Sequence, residues 1–356
     1  MAAPVFDKII LHIGAEKTGT STIQRFLSAN RDRLGAQNIY YPHTPGEENH
    51  TRLAVAAQNS VREQGFLRQE VGDASPQALA AFQETFLAAL HAELADAAAA
   101  GFRRLIFSGE HCHTRVKTAE EAARLANLLR PLARKVRVLF YVRRQDEVAV
   151  SLYSTALRAG YAHTEPDLSF GAQAHRFNYH AACSLYEDTF GQGALTVRLY
   201  DKEAFQDQNL LSDFCFAAGI LWDAGFCVPP RRNEALPAEA QRLLAYVNTQ
   251  KDGVFAPSGR WRGMLLERLE ALPAAPSVQP TRSEAERFVA QYQDSNEAVR
   301  ARYRPDLSPP LFGMDFSAYP TVKPQGALPA PEAQAQLRRL FADRPDVLAD
   351  LSRADG

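Results

Sequence analysis

The chain is poor in the residues that staple small proteins or hold structural metals. Its four cysteines, Cys112, Cys183, Cys215 and Cys227, show no C-x-x-C spacing. That argues against a zinc site and, in a chain of this length, against a disulfide framework. Buried free thiols are the expectation. An excess of one charge is also lacking: 40 basic side chains face 41 acidic ones, for a formal net charge of -1. No global field therefore draws nucleic acid or an anionic membrane, and any anion site has to be local. Long hydrophobic runs are missing too. The apolar stretch near the start is enclosed by Asp7 and Gly14, too short for a signal-peptide core or a membrane span. The expectation is a cytoplasmic protein without stable membrane insertion.

What is present is 356 residues with a 46% hydrophobic fraction and 23% charged residues, enough for a large core. Short apolar runs of strand length alternate with helical periodicity. Residues 8–13, 39–41, 103–110, 136–142 and 194–200 read as strands. After the first, Ile23, Phe26, Leu27 and Leu34 recur at helical spacing until Gly35. Ser75 and Pro76 give an N-cap and a first-turn proline for an apolar stripe that closes at Gly101. Thr118 and Glu121 form a capping box, a helix spans about 146–158, and another lies around 210–218. Residues 43–73 carry few clear signals. Past Pro229 the chain turns proline-rich, with helical stretches at 237–248 and 283–303. Repeated β-α units need crossovers, so the fold expected is α/β: a P-loop-type parallel sheet flanked by helices on both faces, with a helical C-terminal part. One domain is expected over residues 5–325, mainly helical from 231, with a helical tail at 326–356.

Ligands in such sheets bind beyond the carboxyl ends of the strands. This puts residues 12–22, 108–113 and 143–151 along one rim. The first of these reads HIGAEKTGTST: Gly14 and Gly19 turn the chain, hydroxyl residues follow, and a helix N-terminus comes next. Backbone N–H groups and the helix end suit a phosphate there, with Thr18, Thr20, Ser21 and Thr22 as hydroxyl donors. A triphosphate loop carries its lysine directly after the second glycine. Here Thr20 occupies that place and Lys17 projects from the turn itself, which suits a short anhydride with a transferable end group. At the end of the strongest strand, Arg143 and Ser151, about two helical turns on, are placed to converge on a second anionic group.

These two segments resemble the sulfotransferase family that uses 3'-phosphoadenosine 5'-phosphosulfate, particularly bacterial members similar to carbohydrate sulfotransferases. The first loop of that family, H-x-G-x-x-K-T-G-T-[ST], is matched by His12, Gly14, Lys17, Thr18, Gly19, Thr20 and Ser21. The resemblance implies that Arg143 and Ser151 grip the 3'-phosphate of the donor, that Arg232 and Asn233 in RRNEALP close over it, and that Lys17 reaches the phosphosulfate bridge. There Lys17 would stabilise charge on the leaving phosphate. No metal is implied. An acceptor hydroxyl needs a base at the rim, and the candidates are Glu110, which the family resemblance favours, then His111, then His12. His50, Arg52 and Trp261 are candidates to cover a saccharide-like acceptor. The activity implied is transfer of a sulfuryl group to a hydroxyl or amine on a saccharide or glycolipid. The alternatives are a P-loop kinase using ATP and magnesium, or a non-catalytic nucleotide-binding homologue.

Overall fold

In a computed structural model of the chain, residues 5–61, 64–171, 174–230, 236–250, 253–323 and 326–354 are described. Along it lie β1 (Lys8–His12), α1 (Thr20–Ala29), α2 (Arg31–Gly35), β2 (Ile39–Tyr40), α3 (Thr51–Ala57), α4 (Gln64–Val71) and α5 (Pro76–Ala99). Next come β3 (Arg104–Ser108), α6 (His111–Arg115), α7 (Ala119–Leu129), β4 (Val136–Val142), α8 (Gln145–Arg158), α9 (Tyr179–Phe190), β5 (Leu195–Leu199) and α10 (Leu210–Ala218). The remainder is helical: α11 (Ala238–Thr249), α12 (Arg262–Glu270), α13 (Arg282–Ala290), α14 (Gln293–Tyr303), α15 (Ala330–Leu340) and α16 (Pro345–Ala354).

Two compact units share these elements. The first is Met1–Arg143, Ala172–Pro230 and Tyr292–Gly313; the second is Arg144–Gly171, Arg231–Gln291 and Met314–Gly356. The first unit holds an all-parallel sheet in the order β2-β3-β1-β4-β5. Alternation along each strand sends successive side chains to opposite faces, and both faces are covered. Ile9, Leu11, Leu105, Phe107, Val138 and Phe140 join Leu53, Leu90, Leu125 and Tyr186 from α3, α5, α7 and α9. On the other face Ile10, Ile106, Leu139 and Tyr141 join Ile23 and Phe26 of α1 and Phe214 of α10. This is the expected α/β sheet flanked by helices on both faces. From β1 the chain runs toward one edge through α1 and α2; from β3 it runs through α6 and α7 past β1 to β4. The connections diverge at the carboxyl ends of β1 and β3, where such sheets open a crevice.

Two helices run differently from the periodic reading. The stripe from Ile23 to Leu34 is broken at Asn30, whose side-chain amide donates to Phe26 O at 2.7 Å and to Cys227 O at 2.8 Å while its oxygen accepts from Cys227 N at 2.8 Å. A tertiary clamp overrides the local pattern there. The stretch at 283–303 is two helices, α13 and α14, parted by Tyr292, which is fully buried with its ring 5.7 Å from that of Phe177. Residues 43–73, weak in signal, contain α3 and α4. The free thiols of Cys112, Cys183 and Cys215 are buried as expected, but Cys227 is exposed, since the backbone of that segment, not its side chain, is what Asn30 anchors.

The second unit is held by an apolar cluster from α8 (Tyr153, Leu157), α11 (Leu243, Leu244), α12 (Leu265), α15 (Leu337) and α16 (Val347). Arg262 is buried within it and donates to Asn248 Oδ1 at 2.7 Å and to the carbonyls of Leu157 and Arg158 at 3.0 Å. Among the described residues, no helix is long and apolar enough to cross a membrane.

Candidate functional site

The first unit brings the ends of β1, β3, β4 and β5 side by side, and the candidate residues on them follow from that register. His12 pairs opposite Ser108 and Leu139. The β1–β4 ladder continues past the strand through Ile13 N to Leu139 O at 3.0 Å and Ala15 N to Tyr141 O at 3.1 Å. The loop of residues 14–19 therefore leaves from between β3 and β4. Three of its residues are left-handed: Gly14 at φ 43, Lys17 at φ 67 and Gly19 at φ 75. Successive reversals of this kind turn backbone N–H groups into a common concavity. Gly19 then caps α1 without any side-chain bond, and the first turn of the helix leaves its leading N–H groups open to an anion.

Both glycines are required by space as well as by backbone angle. A Cβ on Gly14 would fall 2.4 Å from Thr20 Cγ2 and 3.3 Å from His12 Nε2. One on Gly19 would fall at 2.3 Å from Leu210 Cδ2 and 3.0 Å from Tyr200 Cε2. The loop is thus walled by Tyr200, which follows β5, and by Leu210, which begins α10. Arg143 follows β4 and stands on the same wall. Its guanidinium lies 5.2 Å from the centre of the Tyr200 ring and donates to Lys17 O at 3.2 Å, while its own carbonyl accepts from the Tyr179 hydroxyl at 2.6 Å. A cation is so fixed at the loop's edge and braces the strained lysine. Glu16, within the loop, forms an ion pair with Arg176 at 2.7 Å.

The hydroxyls are arranged differently from the expectation. Thr18 Oγ1 donates back to Ala15 O at 2.6 Å and closes the turn. Thr20 Oγ1 donates to Glu110 Oε2. Neither proton faces outward, whereas Ser21 is exposed and Thr22 half-buried. Glu110 sits after Gly109, whose N–H bonds His12 O at 3.0 Å, and it immediately precedes α6. Burial pushes its carboxyl above the ordinary carboxylate range and the Glu16 carboxylate adds to this, while the Thr20 hydrogen bond and the Lys17 ammonium pull the other way. His111, at the start of α6, packs on Phe66 with ring centres 5.1 Å apart, and its Nδ1 is buried with no hydrogen-bond partner. Burial holds its imidazole below the ordinary value.

His12 and His50 are interior histidines. His12 bonds Ser108 Oγ through Nδ1 at 2.8 Å and its Nε2 has no partner. His50 bonds Pro42 O through Nε2 at 2.9 Å and accepts from Ser108 N at 3.2 Å through Nδ1. With both nitrogens engaged and Tyr41 stacked at 4.2 Å, His50 offers nothing to an acceptor. Burial lowers both imidazoles from 6.5 to about 3. The unfolded chain therefore takes up these protons first, and stability is lost as pH falls below 6.5. At pH 5 each histidine costs about 2 kcal/mol relative to pH 7.5. Urea unfolding at the two pH values checks this: His50→Gln is expected to lose about half of the pair's pH dependence, and a flat wild-type profile would contradict it.

Arg52 is exposed and donates to Thr44 O at 3.3 Å. In the second unit, Trp261 donates through Nε1 to Asp350 Oδ2 at 2.9 Å, with Arg260 and Arg344 over its ring at 4.5 and 5.3 Å. These contacts tie its ring to the packing of the C-terminal helices. Ser151 lies on α8, also in the second unit. Arg232 and Asn233 fall outside the described residues. Tyr200 was missed by the sequence reading, although its place at a strand's carboxyl end could have pointed to it; Glu16 and Arg176, 160 positions apart, gave no sign of their pairing.

No protein-family model matches the chain. An uncharacterized protein of Archaeoglobus fulgidus is 24% identical over 169 residues, 47% of this chain, and the chain spans 45% of the length of that relative. Among solved structures, a sulfotransferase from Alicyclobacillus acidocaldarius is similar at 15% identity, over 85% of this chain and 97% of its own, with a TM-score of 0.41.

Proposed function

We propose that this chain is a sulfotransferase that moves a sulfuryl group from 3'-phosphoadenosine 5'-phosphosulfate to a hydroxyl or amine, on a saccharide or glycolipid. The observation that carries the reading is the pairing of Thr20 with Glu110 at the head of α1. In a triphosphate loop that position supplies a lysine to the β- and γ-phosphates. Here it supplies a hydroxyl bonded to a carboxylate, so the cation that a β,γ-phosphate pair needs is missing from that position and a group able to take an acceptor's proton stands beside it. The cations stand elsewhere: Lys17 within the turn and Arg143 at its edge. The concave backbone, the two crowded glycines and these two cations fit the phosphates of such a donor, with Gly14, Lys17, Thr18, Gly19, Thr20, Ser21 and Thr22 around one and Arg143 toward the 3'-phosphate. The sequence resemblance adds Ser151, Arg232 and Asn233 as candidates for the 3'-phosphate.

The chain's own groups then divide the work. Glu110 takes the acceptor's proton as the acceptor atom bonds to sulfur. Lys17 meets the negative charge left on the 5'-phosphate oxygen as the bond from that oxygen to sulfur breaks. The rest is alignment, as in phosphoryl transfer.

The donor assignment is tested by comparing adenosine 3',5'-bisphosphate with adenosine 5'-monophosphate. Wild type should prefer the bisphosphate. Arg143→Ala should weaken bisphosphate binding roughly 10- to 100-fold, the worth of a hydrogen bond to a charged group, and leave the monophosphate nearly unchanged. An unaltered preference in the variant would remove Arg143 from the site.

A further inference from the structure

Thr20 belongs to the anion loop and to Glu110 at once. It is 3% exposed and opens α1, so its N–H lies among those the helix offers to an anion. Its side chain is gripped on both sides. The methyl lies over Gly14, where an added Cβ would come within 2.4 Å of it, beside the unpartnered Nε2 of His12. Its hydroxyl has one proton, and Glu110 holds it.

We propose that Thr20 is the positioning residue through which filling of the anion loop sets the basicity of Glu110. This deepens the donor reading above and rests on it. Among the described residues, the charged groups that act on Glu110 are Glu16 and Lys17 from the loop, with Arg176 paired to Glu16; His111 is its neighbour in sequence at the start of α6. Thr20 and Lys17 are the two that stabilise its ionised form. An anion in the loop competes for both, because the single hydroxyl proton cannot serve two acceptors and the ammonium turns to the new charge. Glu110 is left buried without its stabilisers and binds a proton more tightly. The base is thus weakest in the empty loop and strongest once the donor is in place.

The sign follows from linkage. A group whose proton affinity rises on binding takes up protons during binding, so ligand affinity increases as pH falls through the interval between its two pKa values. A tenfold rise in proton affinity corresponds to uptake of roughly half a proton at the midpoint.

The test is calorimetric titration with adenosine 3',5'-bisphosphate in two buffers of different ionisation heat, repeated at a series of pH values from the ordinary carboxylate range upward. It compares wild type, Glu110→Gln, Thr20→Val and Thr20→Ser. Protons of the nucleotide itself cancel in the differences. Wild type is expected to take up more protons than Glu110→Gln; Thr20→Val, already lacking the hydrogen bond, should fall toward Glu110→Gln, and Thr20→Ser should restore uptake. Equal counts in wild type and Glu110→Gln at every pH, or a Thr20→Val count equal to wild type, would overturn the coupling and leave the donor reading standing. No binding of the nucleotide to wild type would overturn the donor reading and the coupling with it.

Discussion

Lys17→Ala is expected to lower turnover roughly 10²- to 10³-fold, the scale of a lost charge stabiliser at a reacting centre, while nucleotide affinity changes by less than about tenfold. The asymmetry follows from where the ammonium acts. In the proposed transfer it is worth most when the 5'-phosphate oxygen gains charge as sulfur departs, and less when the nucleotide merely binds. The substitution is clean in structural terms. Lys17 is already left-handed at φ 67, and alanine meets the same backbone penalty as lysine there. Its carbonyl, which accepts from Arg143 at 3.2 Å, is unchanged by the mutation. Single-turnover rates beside equilibrium binding separate the two quantities. A loss of affinity with an unchanged single-turnover rate at saturation would make Lys17 a binding residue only.

Glu110→Gln should reduce turnover by about 10²- to 10⁴-fold, the usual worth of a positioned base, and remove the acid limb of the pH–rate profile. Burial raises this carboxyl above the ordinary carboxylate range. The rate in wild type should therefore fall as pH drops through that raised value, because the base is lost on protonation. Glutamine retains an oxygen to accept from Thr20, so folding should survive. His111 is the competing base, with an unpartnered buried Nδ1 and an imidazole held neutral by burial. Loss of the acid limb in His111→Asn, with the limb kept in Glu110→Gln, would transfer the role to His111.

The strands were legible because parallel strands buried on two faces are continuous apolar runs. Residues 136–142 coincide with β4, and the capping box of Thr118 and Glu121 opens α7. The helix breaks at Asn30 and Tyr292 were not legible. They depend on partners far away in sequence, Cys227 for the first and Phe177 for the second, and periodicity within one helix carries no trace of them. The same holds for the site. The turn with its two glycines and Lys17 could be read from spacing, and the rim rule placed Glu110 and Arg143 near it. What spacing could not express is where hydroxyl protons go. Thr18 closes its own turn and Thr20 serves Glu110, because a short polar side chain in a crowded loop bonds the nearest acceptor. His50 and Trp261 illustrate the converse: polar and aromatic residues near a suspected cleft that the packing uses for itself.

In the proposed function, the loop at the end of β1 takes a 3'-phosphorylated nucleotide without a metal. Calorimetric titration of the purified protein with adenosine 3',5'-bisphosphate in the presence of a chelator, beside ATP with magnesium, tests it most directly. Saturable binding of the bisphosphate that the chelator leaves intact is expected, with weaker binding of ATP with magnesium. Preference for ATP with magnesium, or no heat from the bisphosphate, would contradict it.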